Sequence, residues 1–211
     1  MTMKQKIVKG VVVTFIMIIP LLILGAIETQ EIAAFDPVKH YDSIEKSAKG
    51  ISEYKQSNDV LIESFIEKDL ADIRCTVTFE KAITLNELKT ICTSNKIDLK
   101  VVETRHIING KKYTSATIFN GNFEDLQNEI NEITDDLGGG FVGVIDVYAC
   151  IDSEYVDDVK RDQKVFLVDV SGDAASIGYY IKNGDTRNKE RFDDGLNDFP
   201  HAMSWDLEEL R

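Results

Sequence analysis

The chain has 211 residues, with 24 lysines and arginines against 37 acids, a formal net charge of −13, and 43% hydrophobic residues. That length holds one or two modest domains, and the apolar content is enough for a packed core, which excludes a wholly disordered chain. A chain this acidic, with no stripe of basic and aromatic residues to reverse the sign locally, is repelled by phosphate backbones, so no nucleic-acid partner is expected.

The N-terminus points to a membrane. Lys4, Lys6 and Lys9 precede an uncharged run from Val11 to Ile27, and Glu28 and Glu31 follow it. As a helix rising about 1.5 Å per residue, that run approaches the roughly 30 Å of a hydrocarbon core. Residues 1–27 are therefore expected to be a transmembrane anchor or a signal peptide, meeting the membrane through residues 10–27. Basic residues before the run place the N-terminus in the cytoplasm and the rest outside. Leu24-Gly25-Ala26 and Ile32-Ala33-Ala34 are imperfect cleavage signatures, which favours a single-pass anchor; cleavage would instead give a secreted protein. Residues 1–27 hold three lysines and no acid, so the exported remainder carries −16.

Residues 28–71 read as a helical stalk. Ile44, Ala48 and Ile51 form one apolar stripe and Leu61 and Phe65 another, while Ser57-Asn58-Asp59 interrupts the pattern with capping side chains. Two helices are expected, over 38–56 and 59–71. Heptads sustained over three or four repeats are missing, so a spacer packed on the domain is expected rather than a dimerising coiled coil.

Residues 72–151 show an ordered series of period changes. Ile73, Cys75, Val77 and Phe79 alternate with polar residues in a strand. Thr84-Leu85-Asn86-Glu87 is a capping box that opens a helix with Leu88, Ile91 and Cys92 on its apolar face, ending near Ser94-Asn95. Ile97, Leu99 and Val101 alternate in a second strand whose inward face changes beyond Val102, as at a bulge. Asn109-Gly110 signals a hairpin to a third strand over 113–119, because both central turn residues need positive φ. Asn122 caps a helix with Phe123, Leu126, Ile130, Ile133 and Leu137 on one face, closed by Gly138-Gly139-Gly140. A fourth strand, nearly continuous in apolar residues, runs from Phe141 to Ile151. This β-α-β-β-α-β order is that of an α+β, ferredoxin-like split β-α-β sandwich: an antiparallel sheet with two helices on one face and the other face open. The outward set on the first strand, Arg74, Thr76, Thr78 and Glu80, is polar, which directs the search for a partner to edges and loops. The name describes shape only, since three scattered cysteines cannot supply the usual cluster ligands.

Residues 152–211 form a C-terminal extension: an acidic loop from Asp152 to Asp162, an added strand over 165–170, the turn residues Ser171-Gly172-Asp173 and Asn183-Gly184-Asp185, and a short helix carrying Trp205, Leu207 and Leu210.

No residue constellation specifies chemistry, so no catalytic, cofactor-binding or metal-ligating residue is assigned. His40, His106 and His201 are far apart and fit no metal motif. Ser171 lacks the G-x-S-x-G elbow. The glycines from Gly138 to Gly143 lie between a helix and a strand, the reverse of a phosphate-cradling loop. Asp152, Glu154, Asp157 and Asp158, and also Asp193, Asp194 and Asp198, lack the spacing of a calcium loop. Three cysteines leave one unpaired in an exported protein. The topology brings Cys92 near Cys75 on inward faces, so Cys75–Cys92 is the possible disulfide, with Cys75–Cys150 or three buried thiols as alternatives. The expected function is that of a membrane-tethered extracytoplasmic, non-catalytic domain that binds an unknown protein or an envelope component. The alternatives are a small exported enzyme or protease-inhibitor-like module, and an extracytoplasmic ligand sensor.

Overall fold

A computed structural model describes residues 36–173 and 199–210. The expected membrane segment, Asn183-Gly184-Asp185 and the acids Asp193, Asp194 and Asp198 lie outside the described residues. No helix among the described residues is long and apolar enough to cross a membrane.

The elements are α1 (Pro37–Ser43), α2 (Ala48–Glu67), β1 (Ile73–Ile83), α3 (Leu85–Ser94), β2 (Asp98–Ile108), β3 (Lys111–Ile118), α4 (Phe123–Leu137), β4 (Gly140–Ile151), α5 (Ser153–Arg161), β5 (Val165–Asp169) and α6 (Ser204–Glu209). They build an α+β domain around a five-stranded antiparallel sheet in the order β3-β2-β4-β1-β5.

Local chemistry sets the element ends. The Thr84 Oγ1 accepts from the Glu87 amide at 3.2 Å while the Glu87 carboxylate takes the Thr84 amide at 2.8 Å, so both bonds of the capping box form. Asn109 and Gly110 turn the β2–β3 hairpin with φ of 51° and 76°, a backbone that Asn and Gly tolerate at little steric cost. Gly138 ends α4 with φ of 62°.

The strand order departs from the ferredoxin-like plan, in which the hairpin's second strand enters the middle of the sheet. Here that strand, β3, stays at the edge, and β4 inserts between β1 and β2. Burial explains the choice. Most of β3 is exposed, whereas β4 from Val144 to Ile151 is buried on both faces apart from the half-buried Tyr148. A strand without polar alternation belongs in the interior and one rich in lysine and threonine belongs at an edge.

Ile73, Cys75 and Val77 of β1 meet Leu88, Ile91, Leu126 and Ile130 of α3 and α4 in one apolar core, which Val156 and Val159 of α5 extend under β5. The expected change of face in β2 comes earlier than the alternation of Leu99 and Val101 predicts, and Val101 leaves the core shared by Leu99. Register shifts near Lys100 put Leu99 and Val102 in the same core.

Two further expectations are corrected. The break between the leading helices falls near residues 44–47, and α2 runs unbroken through Ser57-Asn58-Asp59. Asn58 is not a cap. Its side chain is buried, donates through Nδ2 to the Val168 carbonyl and accepts from the Val170 amide at 2.9 Å, so α2 fastens onto the outer edge of β5. The stretch expected as an acidic loop is instead the helix α5. It buries Val156 and Val159 and pairs Asp157 with Arg161 at 2.8 Å one turn apart.

Candidate functional site beneath the last helix

The sheet face away from α3 and α4 is not open. Segment 199–210 lies across it, with the Thr76 hydroxyl donating to the Pro200 carbonyl at 2.6 Å and the Met203 amide donating to Thr78 Oγ1 at 3.4 Å. The outward residues Thr76 and Thr78 are consequently buried, Arg74 is buried against Asp173, and Glu80 is half-buried. From the other side the Tyr41 hydroxyl of α1 donates to Asp206 of α6 at 2.7 Å.

The enclosed layer is polar. Asp146 of β4 stands beside Glu103, its register partner on β2, at a point where the β2–β4 register slips by one residue. Asp146 is fully buried. Thr78 and the Ser204 hydroxyl flank it and favour its charged form, although no contact to either carboxylate oxygen reaches full hydrogen-bond geometry. Burial pushes the Asp146 carboxyl up to about 7, the neighbouring Glu103 adds to the rise, and Arg105 opposes it. Burial also raises Glu103, although the Tyr148 hydroxyl donates to it at 2.9 Å. Asp169 on β5 is raised by burial too, against a hydrogen bond from the Tyr54 hydroxyl at 2.6 Å.

Beside this layer lies a cleft of about 280 Å³ whose walls include Phe79, Ile107, Val142, Leu207, Arg105, Lys112 and Ser204. The Arg105 side chain is only 3% exposed. Its Nε and Nη2 donate to Oε1 of Glu208 at 3.2 and 2.9 Å, its Nη1 donates to Thr114 Oγ1 at 2.6 Å, and the Trp205 ring lies 3.8 Å from the guanidinium carbon. Lys112 Nζ meets the other Glu208 oxygen at 2.6 Å. Burial pulls the Glu208 carboxyl upward, but Lys112 and Arg105 outweigh it and hold it below the ordinary range. The arrangement can clamp a carboxylate from three donors with an aromatic lid over the guanidinium.

The residues singled out in the sequence fall elsewhere. His106 sits on the helix-covered face among Thr104, Ser115 and Thr134, His40 meets the Tyr54 hydroxyl at 3.0 Å, and His201 packs on Tyr41. The Ser171 amide donates to Asp169 in a turn, and its hydroxyl oxygen lies 3.1 Å from the Tyr54 hydroxyl. Cys75 and Cys92 share the helix-covered core, Cys150 alternates onto the opposite face, and all three are buried thiols. No group of histidine, cysteine and acidic side chains among the described residues is arranged to hold a metal ion.

Asp146, Glu103, Arg105 and Glu208 escaped the sequence reading. Asp146 did leave a signal, as the lone carboxylate inside an apolar strand, where a buried polar group is the informative observation. The Arg105–Glu208 pair left none, because its members are over 100 residues apart and meet only through the fold.

The class these features define is an α+β domain with a covered antiparallel sheet and a small cationic cleft at the hairpin end. No family model matches the chain, and neither curated proteins nor solved structures provide a match.

Proposed function

We propose that this chain is a membrane-tethered extracytoplasmic domain that works by binding a protein or an envelope component, held to the bilayer by residues 10–27. We read its core, two interleaved split β-α-β units, as a re-ordered form of the ferredoxin-like sandwich. The observation that carries the binding reading is the cleft bounded by Arg105 and Lys112 with Ile107 and Val142 on its wall, at the hairpin end of the sheet. It places apolar surface beside Arg105 and Lys112, both paired with Glu208, on a chain that is otherwise strongly acidic. A catalytic reading starts from Asp146, whose raised pKa is of the kind found at reacting groups. That carboxyl is fully enclosed, so substrate would reach it only after segment 199–210 had moved away.

Crosslinking and co-purification of the full chain from its native membrane tests the proposal. A stoichiometric partner lost on substitution of Lys112 by glutamate supports it. Recovery of no partner, together with turnover of a substrate by the same preparation, overturns it in favour of an exported enzyme.

A further inference from the structure

We propose that segment 199–210 is a proton-operated strap: it lies closed over the sheet while Asp146 and Glu103 beneath it are protonated, and their ionisation releases it from a body that stays folded. The device goes beyond the binding reading and does not depend on what the domain binds.

Two carboxyl side chains share the covered layer, Asp146 on β4 and its register partner Glu103 on β2. Asp146 is fully buried, and Glu103 is half-buried under the bond from Tyr148. The strap covers both. Its Ser204 stands on Asp146, its Met203 amide donates to Thr78, which faces Asp146 from β1, and its Phe199 packs on the Tyr148 ring at 5.6 Å. Little charge is available to hold the pair ionised. Arg105 acts on both carboxyls but is engaged with Glu208 of the strap, and His201 of the strap attracts Glu103. Elsewhere on this face Arg74 of β1 is paired with Asp173, and Asp169 of β5 takes the Tyr54 hydroxyl of α2. From α1 and the turn after it, Tyr41 and Lys46 meet Asp206 of the strap rather than the pair. Burial outweighs the favourable contacts and raises both acids, Asp146 to about 7 from an ordinary 3.8.

The strap can leave without dismantling the body. The apolar core joins the sheet to α2, α3, α4 and α5 and contains no residue of 199–210; Phe199, Met203 and Leu207 are buried apart from it, on the other face. No strand pairing ties the strap to the sheet. Its α6 has six residues and no side-chain cap at its N-terminus. Units with few ties to the core open below the global unfolding free energy. Proton linkage sets the direction. With the strap open Asp146 titrates near its ordinary value, whereas the closed strap holds it near 7. Between about pH 4 and 7 only the open form gives up the proton, so opening becomes about tenfold more frequent per pH unit, and above about 7 the gain stops. Glu103, raised by the same burial, adds to the rise.

Native-state hydrogen exchange of the full chain tests this, read by mass spectrometry on peptic fragments at pH 5, 6 and 7 and corrected for the intrinsic pH dependence of amide exchange. Fragment 199–210 is compared with fragment 144–151 of β4. Protection of the strap should lie about tenfold or more below that of β4 at pH 7, and should fall about tenfold per pH unit from pH 5 to 7. In Asp146→Asn, strap protection should stay nearly level over the same range. Equal protection of the two fragments at pH 7 means that strap and body open together, and overturns the inference. Strap protection that is level in the parent, or that falls as steeply in the variant, overturns the part given to the acid pair. Should Asp146→Asn lose the protection of β4, Asp146→Val, which suits the apolar run of that strand, replaces it with the same expectation. The parent's own slope is decisive with either variant.

Discussion

Asp146→Asn removes a charge that neutral pH forces into an enclosed layer. The carboxyl is pushed to about 7 from an ordinary value of 3.8, mainly by burial. Below pH 4 both folded and unfolded chains hold the proton and the group costs nothing. Between about pH 4 and 7 the unfolded chain releases its proton while the folded one keeps it, so stability falls as pH rises, and above about 7 the deficit is constant. At about 1.36 kcal/mol per pH unit the deficit reaches roughly 4 kcal/mol. Glu103, raised by burial and lying opposite on β2, adds a deficit of the same sign. The asparagine is neutral at every pH, at a cost of about 1 kcal/mol for fitting an amide beside Thr78 and Ser204. The variant should therefore gain about 3 kcal/mol over the parent near pH 8 and lose that advantage near pH 4. Guanidinium unfolding of the full chain at three pH values, followed by Trp205 emission, measures both. A parent whose stability rises from pH 5 to 8, or a variant less stable than the parent at pH 8, would refute the reasoning.

Asn58→Ala leaves the Val168 carbonyl of β5 and the Val170 amide just beyond it without their side-chain partners, so denaturant unfolding should show a loss of about 2–4 kcal/mol. Gly143→Ala places a methyl 2.7 Å from the Ile83 carbonyl at a φ of 153°, and the midpoint of thermal unfolding should drop by the equivalent of about 1–3 kcal/mol. Burial raises the Cys75 thiol well above its usual range, Cys92 to about 12 and Cys150 to about 11. All three should resist iodoacetamide at pH 8 in the native chain and react once it is unfolded, as counted by intact mass.

What could be read in advance was whatever short-range chemistry decides. The capping box at Thr84, the Asn109-Gly110 turn and the spaced apolar face from Phe123 to Leu137 each carry their geometry within a few residues, and each element forms where its signal lies. The strand order could not be read this way, because the choice between β3 and β4 for the centre of the sheet is made by comparing burial across the whole sheet. Asn58 misled for a related reason. Its amide is an equally good cap or edge clamp, and only the presence of β5 beside α2 decides between them. Asp157 and Asp158 suggested a loop because the stripe of Val156 and Val159 is short, and the helix gains its stability from packing on β5. The candidate site was the least legible part. The sheet face over which it lies looked open until segment 199–210 was seen to cover it, and its central pair joins residues from opposite halves of the domain.

The proposal of a tethered domain facing outward is tested most directly with Tyr113→Cys. This places an exposed thiol on the edge strand of a chain whose three native cysteines are buried. In intact cells producing the full chain, a membrane-impermeant maleimide should label the variant and not the parent. Labelling only after the membrane has been permeabilised would contradict the account.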